Sequence, residues 1–140
     1  MMSLAKQERS IVVAVISEGI RVGANVRMIS AVAQDSDDVF VATILRSSCE
    51  ECGLSCSARN LPPIETTEER ASQVSLPAAL AAFAEWVRPG DLVWGEIPSQ
   101  TFSILRYAYD CVGLPAPWAP ESERCLSTLD YLQSIVSGTN

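Results

Sequence analysis

The sequence predicts a mixed α/β domain: an antiparallel three-strand meander, then a short parallel strand, with helices packed on the sheet. Three observations carry that prediction. Apolar runs of strand length crowd the N-terminal third, at Ile11–Ile16 ("IVVAVI"), Val26–Val32 ("VRMISAV") and Val39–Leu45 ("VFVATIL"). Two later segments, "SLPAALAAFAEWV" and "QTFSILRYAYDCV", repeat apolar residues at helical spacing. Between them lies "LVW", long enough only for a strand. Strands that give way to helices around one further strand describe a single sheet layer with helices laid on it.

Each element has a local reason. The unbroken β-branched run Ile11–Ile16 predicts a strand buried on both faces. "AQDSDD" is rich in turn formers, so the second and third strands read as a hairpin, with the first strand pairing the second. Arg46 to Pro63 reads as a cysteine-bearing loop with Gly53 and a Pro-Pro pair. Thr66 followed by Glu69 is a capping-box pattern for a short helix. Next, Ser75 caps a longer helix with Pro77 in its first turn, Leu80, Phe83, Ala84 and Val87 on one face, and Pro89-Gly90 as its stop. A helix over about Gln100–Val112 aligns Leu105, Ala108, Tyr109 and Val112 and ends at Gly113. After the Pro-rich connector "GLPAPWAP", a last helix over Glu121–Val136 aligns Leu126, Leu129, Leu132 and Val136. At 140 residues the chain, 1–140, fits one domain with a proper core.

Composition narrows the function. The chain is 48% hydrophobic and 19% charged, as a folded protein is, and no apolar run reaches the ~20 residues of a membrane helix. The polar start "MMSLAKQERS" is no secretory signal, so a cytoplasmic location is the expectation. Net charge is −7, with only ten basic residues scattered along the chain. That balance disfavours a dedicated nucleic-acid binder, which neutralises phosphates with Lys and Arg, and suits a protein partner with a basic surface. There is no histidine, which removes Ser-His and Cys-His nucleophilic chemistry and the commonest general base.

Five cysteines in a cytosolic chain argue against a disulfide framework. Cys49, Cys52 and Cys56 form C-x2-C-x3-C, which could offer three thiolates to zinc or an iron–sulfur cluster, with Cys111 or Cys125 as the fourth. The same spacing also reads as a loop with ordinary cysteines, or as a reactive thiol pair.

The segment from Pro89 to Trp118, with "ERCLSTL" after it, resembles the DEDD-type 3′–5′ exonucleases, in their small phage and bacterial exoribonuclease branch of the ribonuclease-H-like superfamily. Val93-Trp94-Gly95, Ile104-Leu105, Ala108-Tyr109, Gly113-Leu114-Pro115, Pro117-Trp118, Arg124 and Thr128-Leu129 stand in that branch's order and nearly its spacing. The resemblance implies a ribonuclease-H-like fold opening on a three-strand meander. It also implies phosphodiester hydrolysis by two Mg2+ or Mn2+ ions on four carboxylates, with a His or Tyr helping the water. Family members often dimerise, so a homodimer is expected too.

Against that pattern, catalytic positions have changed. The first motif, Asp-x-Glu, reads Ile16-Ser17-Glu18, so Glu18 alone remains. Gln100-Thr101 stands for Phe-Asp, and the last motif has no histidine and no aspartate at the right distance after Tyr131, in a domain that looks truncated at its C-terminus. Glu96, directly after Trp94-Gly95, and Asp130, on the expected last helix, are candidate substitutes that could rebuild a metal site with Glu18. Trp94 and Tyr109 are expected in the core, and Trp118 as the anchor of the connector. The leading expectation is a catalytically inactive exonuclease-like binding protein without a metal cofactor. It would be an acidic inhibitor or adaptor of phage or mobile-element origin, aimed at a protein's nucleic-acid-binding surface. The alternatives are a residual Mg2+- or Mn2+-dependent nuclease using Glu18 with Glu96 or Asp130, and a zinc- or cysteine-dependent regulator.

Overall fold

A computed structural model describes residues 9–34, 36–55 and 73–127. Strand β1 (Ser10–Ser17), β2 (Val26–Ala33) and β3 (Val39–Thr43) form the antiparallel meander. Helix α1 (Arg46–Glu51), helix α2 (Leu76–Trp86), β4 (Leu92–Gly95), helix α3 (Pro98–Val112), a 3-10 turn (Pro120–Ser122) and β5 (Glu123–Cys125) follow. The sheet order is β3-β2-β1-β4-β5, with β4 parallel to β1 and β5 parallel to β4. Among the described residues, no helix is long and apolar enough to cross a membrane.

The caps are those the sequence predicts. Ser75 Oγ accepts from the Ala78 backbone N–H, Pro77 lies in the first turn of α2, and Gly113 ends α3 in the left-handed region at φ 79°. Several bounds move: β1 gains Ser10 and Ser17, β2 gains Ala33, β3 ends at Thr43 instead of Leu45, and α3 begins at Pro98, which serves as a helix-start proline.

One core fills one side of the sheet. Ile11 and Val13 of β1, Ile29 and Ala31 of β2 and Val93 of β4 meet Leu80 and Phe83 of α2 and Leu105, Ala108 and Tyr109 of α3. Tyr109 donates its hydroxyl to the Leu80 carbonyl (2.7 Å), tying α3 to α2. Trp118 packs edge-on to Tyr109 and donates its indole N–H to Glu123 Oε2 (2.8 Å), which anchors the Pro-rich connector.

Four expectations change. First, among the described residues helices cover β1 on one face only: Ile11 and Val13 are buried, but Ala14 is exposed and Ile16 is 56% exposed. The three described helices all bury side chains in the cluster on the other face, so β-branched continuity did not mean burial on both sides. Second, Trp94 alternates with core-facing Val93 and so sits outside the core cluster, half-buried on the opposite face. Third, Arg46–Glu51 is helix rather than loop. Leu45 supplies no side-chain cap; the turn is held by burial of Ser48 and Cys49, with Ser48 Oγ donating to Leu45 O (2.6 Å) and accepting from Leu76 N–H (2.9 Å). Fourth, the last helix does not start at Glu121. Glu123–Cys125 pairs with Val93–Gly95 instead, and Glu123 is fixed by Arg106 and Trp118. The capping box at Thr66 and Glu69, and the remainder of the expected last helix, lie outside the described residues.

Candidate functional site

Strands β1, β4 and β5 run parallel, so their carboxyl ends meet at one edge of the sheet, where open α/β sheets place ligands. That edge carries Ile16-Ser17-Glu18 after β1, Gly95-Glu96-Ile97 after β4 and Cys125-Leu126-Ser127 after β5. The turn from Glu18 to Asn25 closes it on one side. It is held by Glu18 N–H to Asn25 O (2.8 Å) and by exchanges between Gly23, Asn25 and Ser55. Gly95 lets β4 pass tightly beside α3: a Cβ there would stand 3.2 Å from the Phe102 ring and 3.7 Å from Thr101 Cβ.

Glu18 is buried, its side chain 5% exposed, and its carboxylate is fully engaged. Arg46, the first residue of α1, donates Nε to Oε1 (3.1 Å) and Oε2 (2.8 Å), with Nη2 on Oε2 as well. Arg27 of β2 donates Nη1 to Oε2 (3.0 Å), and Asn25 donates Nδ2 to Oε1 (2.8 Å). A carboxylate presents about four lone-pair directions, and these donors fill them. Burial pushes the Glu18 carboxyl up, but the hydrogen bonds from Arg46, Asn25 and Arg27 outweigh it and hold it below the usual carboxylate range.

The other carboxylate candidates stand elsewhere. Glu96 is exposed and faces β5, where Ser127 Oγ donates to its carbonyl (3.4 Å) and its Oε1 (3.3 Å). Thr101 is half-buried in the first turn of α3, and Asp130 lies outside the described residues. Among the described residues, no three His, Cys, Asp or Glu side chains gather closely enough to hold a metal ion.

The fit of this edge to a Mg2+ or Mn2+ pair is poor on its own chemistry. Hard cations take anionic oxygen ligands, and Glu18, the carboxylate the resemblance assigns to the metal site, is already ion-paired with two guanidinium groups. At the positions where the resemblance asks for aspartates, Ile16 presents a half-exposed aliphatic side chain and Thr101 a neutral hydroxyl.

Among the described residues the cysteines form no metal-holding cluster either. Cys49 is fully buried on α1, donating its thiol to Val26 O (3.3 Å), and burial pushes that thiol up to about 11. Cys52 is half-buried at the end of α1 with its thiol also raised by burial, and Cys125 sits at the end of β5. Cys56 lies outside the described residues.

The sequence reading missed two features. The arginine pair is one; its only local trace is a lone Arg in the strand "VRMISAV". The other is an apolar rim. Ile16, Ile20, Val22 and Ile97 are each more than half exposed, and Ile20 is 74% exposed. Val22 and half-exposed Tyr107 line a groove of about 350 Å3 with Arg21, Gly23 and Gly53. Isoleucine and valine inside the turn "EGIRVGAN" were the available signal.

The strand order β3-β2-β1-β4-β5 with helices packed on the sheet is a ribonuclease-H-like fold. The profile of the 3′–5′ exoribonuclease Rv2179c-like domain matches residues 17–140, and the chain belongs to that family. No curated protein sequence matches it. Among solved structures it is similar to exonuclease I. The apo enzyme superposes with a TM-score of 0.65 at 14% identity, over 96% of this chain and 33% of that one. The zinc-bound Escherichia coli exonuclease I–single-stranded DNA complex gives 0.66 at 14% identity, over 93% and 30%. The chain thus spans about a third of the length of these structures, and at that identity the likeness concerns the fold.

Proposed function

We propose that this domain is a binding module on an exonuclease frame, engaging a protein partner through the carboxyl edge of its sheet instead of hydrolysing phosphodiesters there. The observation that carries the reading is the saturation of Glu18 by Arg46, Arg27 and Asn25, beside an aliphatic residue at position 16. Two-metal hydrolysis requires ligand geometry held to a fraction of an ångström, and a carboxylate already claimed by two arginines offers no coordination site. The exposed Ile16, Ile20, Val22 and Ile97, at and just after the carboxyl ends of β1 and β4, favour a protein surface as occupant, since apolar side chains left in solvent gain by burial against a partner. The net charge of −7 adds attraction to a basic partner, such as a surface that otherwise holds nucleic acid.

Family membership favours a second reading, a residual metal-dependent exonuclease that recruits Glu96 or Asp130. Labelled RNA and single-stranded DNA incubated with the protein and Mn2+, beside a Glu18→Gln control, separate the two. The binding-module reading expects no digestion above background. Metal-dependent digestion that disappears in the control establishes the nuclease. For the partner, affinity capture at rising salt expects progressive loss of the complex, and a salt-insensitive complex removes the electrostatic part.

A further inference from the structure

Two half-buried free thiols, Cys52 and Cys111, are far apart in the chain and are brought together by the fold. Cys52 closes the C-terminal end of α1, its backbone N–H donating to Cys49 O (3.0 Å). Gly53 follows at φ 98°, in the left-handed region that glycine tolerates, and turns the chain so that Leu54 enters the core. Cys111 stands in the last turn of α3, one helical turn after Tyr107 and on the same face. Gly53 and Tyr107 line the same groove of about 350 Å3, so the end of α1 abuts the Tyr107–Cys111 face of α3. Both thiols pack against the core cluster from there.

Electrostatics adds a scale to that proximity. Burial raises the Cys52 thiol, and the next largest influence on it is Cys111, ahead of Glu51, its immediate neighbour in the chain. The action of a charge falls with distance, so Cys111 is at close range to Cys52. The other described thiols are placed differently. Cys49 is fully buried and donates to Val26 O (3.3 Å), while Cys125 lies at the end of β5 near the Glu96 carbonyl (3.9 Å).

We propose that Cys52 and Cys111 are an oxidation site, a thiol pair that a hydroperoxide closes into a reversible disulfide between the end of α1 and the last turn of α3. One thiolate attacks the O–O bond, its sulfur becoming a sulfenic acid while the other peroxide oxygen leaves as water after taking up a proton. The second thiolate then attacks that sulfenic sulfur, the S–S bond forms, and the hydroxyl leaves as a second water. Two thiols and one hydrogen peroxide thus give one disulfide and two waters, and a dithiol reductant reverses the bond by exchange. Closure ties α1 to α3 beside the groove that Val22 of the apolar rim also lines. The assignment stands independently of what that rim binds.

Treating the dilute, fully reduced chain with stoichiometric hydrogen peroxide, then alkylating and mapping it by mass spectrometry without reduction, decides the matter. The expected product is a single chain lighter by two hydrogens, with one linked peptide pair joining Cys52 to Cys111 that dithiothreitol separates. Cys52→Ser and Cys111→Ser should each abolish the link, and Cys125→Ser should retain it. Dibromobimane, which fluoresces once two neighbouring thiols have taken both its arms, reads the pair in the reduced, unaltered chain and should bridge the same two peptides. A link from either cysteine to Cys49, Cys56 or Cys125, a link between chains, a bimane bridge elsewhere, or oxidation of the two sulfurs to sulfinic acid without a bond overturns the proposal.

Discussion

Arg46 holds Glu18 with both Nε and Nη2, across 28 positions of sequence, and so clamps the first turn of α1 against the end of β1. Arg27 completes the grip from β2, on a carboxylate whose side chain is 5% exposed. The carboxylate that the resemblance assigns to metal binding is here the negative centre of an internal ion-pair cluster. Removing its charge takes away the carboxylate that both guanidinium groups share.

Glu18→Gln should therefore destabilise the fold. Breaking a fully buried pair costs roughly 3–5 kcal/mol; the arginine side chains here keep 22% and 25% of their surface, so about 2 kcal/mol is expected. Urea unfolding should show a lower midpoint with an unchanged slope. A midpoint equal to that of the unaltered chain would mean the cluster contributes nothing.

The same cluster sets an acid limit. The Glu18 carboxyl is held below its unfolded value, so in acid the unfolded state binds the extra proton first and stability rises with pH in that window. Its contribution is complete above the unfolded pKa of about 4.3 and is lost as pH falls through the lower folded value. The stability gap between the unaltered chain and Glu18→Gln should be constant from pH 7 to about 5 and close on further acidification. A gap that persists unchanged to pH 2 contradicts the assignment.

Divalent cations should leave the fold indifferent. A ligand at a hundred times its dissociation constant stabilises by about 2.7 kcal/mol, which thermal unfolding detects easily. Millimolar Mg2+ or Mn2+ is expected to shift the midpoint by no more than a salt control does. A cation-specific rise that vanishes in Glu18→Gln would restore the metal-site reading.

The apolar rim makes a separable prediction. Ile20→Asp and Ile97→Asp alter side chains mostly in solvent, so stability should move by less than about 0.5 kcal/mol. Capture of the protein partner should nevertheless fall at least tenfold. If both variants still retain the partner, the binding surface lies elsewhere.

A final test concerns a second clasp. Arg9 donates to Asp91 (2.7 Å), Asp38 (3.1 Å) and the Trp86 carbonyl (3.0 Å), and lies over the Trp86 ring. Asp91 is 3% exposed and also accepts the Arg88 N–H, so Arg9→Met strands a buried carboxylate. A loss of about 3 kcal/mol in urea unfolding is expected, larger than for Glu18→Gln, because the group left behind is the more deeply buried. An equal or smaller loss would rank the two clasps the other way.

The sequence by itself determined whatever rests on neighbours along the chain. β-branched runs set the meander, Ser75 and Pro77 start α2, Gly113 ends α3, and Ile16 and Thr101 already stand where the resemblance asks for aspartates. Tertiary structure decided the rest, because the partners involved are distant in sequence. Only packing shows that Ala14 and Ile16 of β1 are exposed, that the cysteine segment coils into α1 to bury Cys49, and that Glu123–Cys125 leaves its helical pattern to pair with β4, some thirty residues earlier. The fate of Glu18 is the clearest instance. In sequence it is a lone acidic residue after a strand; in space Arg27, Arg46 and Asn25 converge on it. The energy of that convergence depends on burial and on charges that local pattern does not encode.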